Sequence, residues 1–280
     1  MGKYFNIQYN GWHIICNFFG MKMKFRYKPK HKKVVNIILD SKAGIGNRIL
    51  AIVNMLNYFT PDELYVYWDT KNWVSSSLTE LFNIETKTKI IELESADFPD
   101  KNALCILGPS HILKTNNNRK LDLKYNEISN KDIDYFNQFF QNIKPSKKVQ
   151  ERLNNFNQEF KYVIQVRNNK DWGDFGRNEA LELYFQEIDN IKDDSKIFLS
   201  AMNKDVSNVF KEKYGNRIIE LDNKNYSSMI DAVCDLFIMS KAKNAIYSYG
   251  STFGELAFWL GGAKQKVKII GSTDNWKKVL

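Results

Sequence analysis

Apolar and polar positions along this chain fall into short β-branched runs separated by segments with helical spacing. The first run, Val34-Val35-Asn36-Ile37-Ile38-Leu39, has the length and branching of a strand. It leads into Asp40-Ser41-Lys42-Ala43-Gly44-Ile45-Gly46-Asn47, and from Arg48 to Tyr58 the residues Ile49, Leu50, Ile52, Val53 and Leu56 recur as one face of a helix. A second strand, Glu63 to Trp68, follows the Thr60-Pro61-Asp62 turn, so the opening predicts a parallel β-α-β unit. Between residues 70 and 125 the pattern is patchier, with Leu78, Leu81 and Phe82 predicting a short helix and Ala103 to Leu107 a strand. Composition turns polar at Thr115-Asn116-Asn117-Asn118. Asp132 to Phe160 then reads as helical except at Lys144-Pro145-Ser146, where Pro145 can open a new helix.

Beyond that break the alternation resumes. Strands are predicted at Tyr162 to Val166, Lys196 to Leu199, Arg217 to Leu221, Ala245 to Tyr249 and Val267 to Ile270. Helices are predicted at Glu179 to Ile188, Asp205 to Tyr214, Ser228 to Ser240 and Thr252 to Leu260. The expected organisation is therefore a basic arm over residues 1–33, an α/β domain over 34–150 and a second over 151–280. No internal repeat period is visible.

Composition sharpens this picture. With 280 residues, 43% of them hydrophobic, the chain can bury one large or two modest cores. The 41 basic against 32 acidic residues give a net charge of +9, which suits an anionic partner: a nucleotide, a nucleic acid or an acidic membrane surface. Much of the excess lies between Met21 and Lys33, just after a short apolar patch of Trp12, Ile14, Ile15, Phe18 and Phe19. That patch is too short to span a bilayer and has no small-residue cleavage site, so neither a transmembrane helix nor a secretory signal is predicted. The segment reads either as an irregular, solvated basic arm or as a peripheral contact with anionic lipid. Cys16, Cys105 and Cys234 are odd in number and lack paired spacing, and the three histidines, His13, His31 and His111, make no ligand pattern. A reducing, cytoplasmic setting and no metal are expected.

Three segments could carry chemistry. Gly44-Ile45-Gly46-Asn47-Arg48 sits at the carboxyl end of a strand, where parallel sheets place ligands. It is neither the dinucleotide fingerprint, whose third glycine would fall at Ile49, nor a P-loop. Asn47 and Arg48 could reach across a cleft, although a plain tight turn and a salt bridge within the domain fit as well. Next, the strand through Gln165 and Val166 runs straight into Arg167, presenting a guanidinium that can grip diphosphate oxygens or make an ordinary ion pair. Finally, Tyr247-Ser248-Tyr249-Gly250-Ser251-Thr252-Phe253-Gly254-Glu255 puts hydroxyls and fresh helix amides at a strand-to-helix turn. Here Thr252 with Glu255 also matches a capping box, which needs no ligand. On the helix before it, Asp231 and Asp235 are one turn apart, so one of them can face a ligand.

In their order and spacing, these segments resemble the fucosyltransferase superfamily. The resemblance runs from residue 34 to residue 262 and rests on Gly44 to Arg48, Tyr67 to Trp73 leading to Leu81-Phe82, Gln165-Val166-Arg167, Asp235 to Ser240 and Ser248 to Phe253. It is closest to the α-1,6- and nodulation fucosyltransferases, with protein O-fucosyltransferases further off. The resemblance implies a GT-B architecture, two Rossmann-like domains facing a cleft, with GDP-fucose held mainly by the second domain and no metal or other cofactor. It gives Arg167 the role of binding the β-phosphate and stabilising the leaving GDP. Gln165, Asp235, Ser248, Ser251, Thr252 and Phe253 fall on donor-binding positions, while Gly44, Gly46, Asn47 and Arg48 face the donor from the first domain.

Two departures are visible. Gln165 stands where the family has histidine, and Ala201-Met202-Asn203 where many relatives carry Thr-Asp-Asp. The expected function is a metal-independent inverting glycosyltransferase acting on a glycan acceptor, with Asp69, Asp171, Asp174 and Glu179 all open as general base. The alternatives are an inactive sugar-nucleotide or glycan-binding protein and a transferase with another donor. Nucleic-acid binding rests on charge alone, with no recognition helix or aromatic-interleaved basic sheet, and is not expected.

Overall fold

A computed structural model describes residues 5–10, 13–18, 21–26, 33–39, 43–71, 73–93, 130–167, 181–248 and 251–271. The predicted strand from Ala103 to Leu107, the candidates Asp171, Asp174 and Glu179, and Tyr249-Gly250 lie outside these residues. The chain divides into two compact units, Met1–Val34 and Val35–Leu280.

The first unit departs from the irregular arm that its charge suggests. Strands β1 (Phe5–Asn10), β2 (His13–Phe18) and β3 (Met21–Arg26) form an antiparallel sheet in that order. The reason lies in the period of two: Met21-Lys22-Met23-Lys24-Phe25-Arg26 alternates apolar with basic, the pattern of a strand with two unlike faces. Its register sets Ile7, Cys16 and Met23 in one row and Gln8, Ile15 and Lys24 in the next. No described helix is long and apolar enough to cross a membrane.

In the second unit, β4 (Val34–Ile38), β5 (Glu63–Tyr67) and β7 (Lys89–Leu93) make a three-stranded sheet in that order, β5 and β7 parallel. Helix α1 (Ile45–Phe59) connects the first two strands and starts three residues before the predicted position, inside the glycine loop. A capped single turn, α2 (Leu78–Leu81), leads into β6 (Phe82–Ile84), which pairs antiparallel with β8 (Ile143–Pro145) after α3 (Asn130–Gln141). Pro145 therefore ends a strand and does not open a helix. Ser146 instead caps α4 (Lys147–Leu153), its side chain accepting from the Val149 amide. The helix stops well short of Phe160. Phe156 and Phe160 leave the helical path to pack on Phe198 of the neighbouring sheet, with ring centroids 5.5 and 5.6 Å away.

The larger sheet is parallel throughout its paired strands, in the order β11-β10-β9-β12-β13. Its elements are β9 (Tyr162–Val166), α5 (Leu181–Asp189), β10 (Ile197–Ala201), α6 (Lys204–Tyr214), β11 (Ile218–Ile219), α7 (Met229–Met239), β12 (Asn244–Ser248), α8 (Thr252–Leu260) and β13 (Lys266–Ile270). A 3-10 turn, Gly215–Arg217, takes up the start of the strand expected at Arg217. Chain order runs outward from β9 to β11 and then restarts on the other side at β12. This reversal between β9 and β12 is a topological switch point, and such points open a crevice at the carboxyl ends of the strands.

Residues of both sheets share one hydrophobic cluster, from Val35 and Ile37 on β4 to Leu256 and Trp259 on α8. Trp259 is its joint, lying edge-on to Phe136 at 5.1 Å and stacked on Phe140 at 6.2 Å, both from α3. A second cluster, including Ile164, Tyr184, Leu199 and Phe210, packs α5 and α6 on the larger sheet. The class is α/β with parallel sheets, as expected.

Candidate functional site

The crevice at the switch point holds a cleft of about 230 Å³ lined from both sheets. On one side lie Gly44, Gly46 and Asn47 at the start of α1; on the other lie Gln165 and Arg167 from β9, with Asp235 from α7 and Thr252 and Phe253 from α8. These residues, separated by up to 209 positions in sequence, are the same ones the sequence singles out. Three other candidates are placed differently.

Arg48 is fully buried and does not reach across the cleft. Its Nε donates to the Ala43 carbonyl at 2.9 Å and its Nη1 to the Asp69 carbonyl at 2.6 Å, while the guanidinium lies 5.0 Å from the Trp68 ring. It ties the loop before α1 to the end of β5. Here the cation orders the backbone that presents Asn47.

Ser251 is also buried, and it rather than Thr252 is the N-cap of α8, accepting from the Gly254 amide at 3.3 Å. The cap thus sits one residue earlier than expected and puts Gly254 at the third helical position, so no capping box forms and Glu255 instead accepts from the Trp259 indole N–H at 3.3 Å. With its cap at Ser251, the helix leaves Thr252 and Phe253 as its first residues, against the cleft.

Ser248 lies behind the cleft wall, 2% exposed. Its Oγ accepts from the Arg167 amide at 2.8 Å, pairs with the buried Tyr184 hydroxyl at 2.6 Å and donates to the Gln165 carbonyl at 3.2 Å. It therefore clamps the strand end that carries Arg167. Ser248→Ala is expected to cost about 1 to 3 kcal/mol of stability, because the Tyr184 hydroxyl and the Arg167 amide lose a buried partner. Urea denaturation measures it; an unchanged midpoint would dismiss the clamp.

Two helix N-termini converge on the cleft. A Cβ on Gly46 would lie 2.5 Å from the Thr252 carbonyl carbon and oxygen and 2.9 Å from the Phe253 nitrogen, so α1 and α8 touch backbone to backbone at their first turns. Only glycine permits that approach. Each N-terminus carries unsatisfied amides and a partial positive charge.

At the floor, Asp235 is 2% exposed, and its Oδ2 accepts from Ser200 Oγ and from Lys224 Nζ, each at 2.6 Å. Burial raises its pKa, and Lys224 and Ser200 pull it back down. Its other oxygen, Oδ1, is buried with no hydrogen-bond partner among the described residues, as is Gln165 Oε1. Asp231, the alternative one turn away, does not serve the cleft: it pairs with Arg152 at 2.8 Å and accepts from the Asn225 amide at 2.7 Å.

Several lining residues escape the sequence reading, chiefly Lys224, Tyr226 and Ser200. Their one signal is position, since Ser200 is near the end of β10 and Lys224-Asn225-Tyr226 precedes the Ser228 cap of α7. Trp73 and Met202 also line the cleft and are 43% and 39% exposed. Glu220 organises the floor from behind. Buried itself, it accepts from Ser207, from the Tyr226 hydroxyl at 3.1 Å and from Lys211 at 2.6 Å. Of the candidate bases, Asp69 accepts from the Lys71 amide at 2.7 Å.

Solved structures that superpose on this chain include fucosyltransferases. The fucosyltransferase NodZ from Bradyrhizobium superposes with a TM-score of 0.54 at 11% identity, over 81% of this chain and 93% of its own. NodZ alpha-1,6-fucosyltransferase soaked with GDP-fucose gives 0.50 at 13% identity over 82% and 93%. An Arabidopsis thaliana FUT1 variant in complex with GDP gives 0.51 at 13% identity over 87% and 71%. No protein-family model matches the chain, and no curated protein matches it in sequence. At these identities the likeness shows the fold, which this chain shares with those fucosyltransferases.

Proposed function

We propose that the chain is an inverting glycosyltransferase that moves fucose from GDP-fucose to a glycan acceptor without a metal ion. The observation that carries this reading is the meeting of Arg167, Asn47 and two helix N-termini at one cleft, in a fold whose solved relatives include complexes with GDP-fucose and GDP. Glycosyl transfer with inversion builds positive charge on the sugar carbon as the bond to the diphosphate oxygen breaks, and negative charge on the departing GDP. Arg167 and the amides at the starts of α1 and α8 would stabilise that anion, fixed in place before the reaction begins. The base would lie toward Asp235 and Gln165, whose orphaned oxygens suit N–H donors. The acceptor would enter from the side of residues 34–150, past Trp73.

A thermal-shift comparison of GDP, UDP, CMP and their sugars, with and without EDTA, tests the reading. Stabilisation by GDP and GDP-fucose that survives chelation is expected; preference for UDP compounds, or loss on chelation, would overturn it. A second reading, a nucleotide-sugar-binding protein without turnover, is favoured by Met202, an exposed thioether on the lining where the family resemblance leads one to expect an aspartate. GDP binding without donor hydrolysis or transfer over a broad acceptor panel would decide for it.

A further inference from the structure

The floor of the cleft holds a cation whose role is not accounted for by the resemblance. Lys224 lies on the segment between β11 and α7, lines the cleft, and has a side chain only 6% exposed. Its ammonium donates to Asp235 Oδ2 at 2.6 Å and lies 3.4 Å from the Ala201 carbonyl, 3.9 Å from Glu220 Oε1 and 4.9 Å from the Tyr226 ring centroid. A lysine ammonium has three N–H donors and no acceptor. Two are directed at Asp235 and Ala201; for the third, Glu220 Oε1 at 3.9 Å is an ion-pair neighbour beyond hydrogen-bond distance, so a ligand acceptor can take it. Asp235 and Gln165 line the same cleft, and their buried acceptors Asp235 Oδ1 and Gln165 Oε1 find no partner among the described residues. Leaving such groups dry and unpaired is costly, so the floor calls for a ligand edge with an acceptor next to N–H donors.

We propose that Lys224 is a specificity-determining residue that selects a 6-oxo purine nucleotide, its ammonium donating to the keto oxygen while Asp235 Oδ1 accepts from the adjacent ring N–H. The inference rests on the nucleotide-sugar reading above and adds the residue that discriminates among bases. Guanine presents acceptor, donor, donor along this edge, the complement of Lys224, Asp235 and Gln165. Adenine would set its amino group against the ammonium and its N1 lone pair against the carboxylate. Cytosine would repeat both clashes. Uracil would match the first two partners and oppose Gln165 Oε1 with its second keto oxygen. Rejection of this kind is strong because each mismatch leaves a buried polar group unpaired.

The test is calorimetric titration of the full chain with GDP, IDP, ADP, UDP and pyrophosphate, repeated on Lys224→Met. Expected for the parent chain is tighter binding of GDP and IDP than of ADP. The variant should lose roughly 10- to 100-fold for GDP and IDP, the range of a hydrogen bond to a charged group, with ADP and pyrophosphate nearly unchanged. An equal loss for GDP and ADP would reduce Lys224 to a support for Asp235, and an undiminished GDP preference would overturn the proposal while leaving the transferase reading intact. A parent chain that prefers UDP would sink both. Should Lys224→Met not fold, purine riboside diphosphate, which lacks the 6-oxygen and the N1 proton, replaces it as the probe. Binding of that compound to the parent chain as tightly as IDP would refute the base contact.

Discussion

Under the proposed function, Arg167→Ala is expected to slow fucose transfer by roughly 10²- to 10³-fold, about 3 to 4 kcal/mol of barrier, the usual loss when one pre-set electrostatic donor is removed. The half-buried side chain lines the cleft, and its backbone is fixed by the hydrogen bond that its amide N–H donates to Ser248 Oγ, so truncation removes charge from the site without breaking that tie. Thermal unfolding should therefore move little while turnover collapses. Arg167→Lys is not expected to restore the rate, because a point charge does not reproduce a planar fork that contacts two diphosphate oxygens. The measurement is single-turnover transfer under saturating GDP-fucose. A rate within threefold of the parent chain would remove Arg167 from the mechanism.

The second large effect is expected at Gly46. Any side chain there meets the backbone of Thr252 and Phe253 at 2.5 to 2.9 Å, and backbone cannot rotate aside as a flexible side-chain end can. Gly46→Val should force α1 and α8 apart at their first turns, with destabilisation at or above the 1 to 3 kcal/mol typical of overpacking. Separation of the two N-termini also undoes the convergence of their amides, so the stabilisation by GDP expected in thermal shift should be absent from the variant. Gly44→Ala is the control. A Cβ at Gly44 meets nothing within 4 Å and its φ of −69° is open to any residue, so a stability change within about 1 kcal/mol is expected. Parent-like stability and GDP response in Gly46→Val would show that the two helices do not need this contact.

These two predictions rest on different kinds of knowledge. The position of Arg167 was legible in the sequence because an apolar strand that runs straight into arginine sets it at the carboxyl edge of a parallel sheet, and the family resemblance favoured a diphosphate over an ordinary ion pair. Gly46 was legible only as part of a loop; its reason, a backbone 206 residues away, is not written in its neighbours. Arg48 was misplaced by the same limit. Its charge suggested an outward reach, yet the carbonyls of Ala43 and Asp69 and the face of Trp68 meet it inside the fold.

Local periodicity carried the strand and helix order from Tyr162 to Ile270, including α8 at its observed bounds, because buried parallel strands and one-sided helices each impose their own repeat on the chain. It faltered where charge masked alternation, in β3, and where aromatic side chains left the helical path to find a core, at Phe156 and Phe160. The candidate site divides along the same line. Residue types and their spacing named Asn47, Arg167 and Thr252, and the family resemblance added Gln165 and chose Asp235 over Asp231. Burial and pairing then assigned their surroundings: Ser248 to the clamp behind Arg167, Ser251 to the cap of α8, and Lys224 to the cleft floor beside Asp235. A side chain's chemistry is a property of its type, but whether that chemistry faces a ligand or a neighbour depends on which distant groups the packing brings within hydrogen-bond reach.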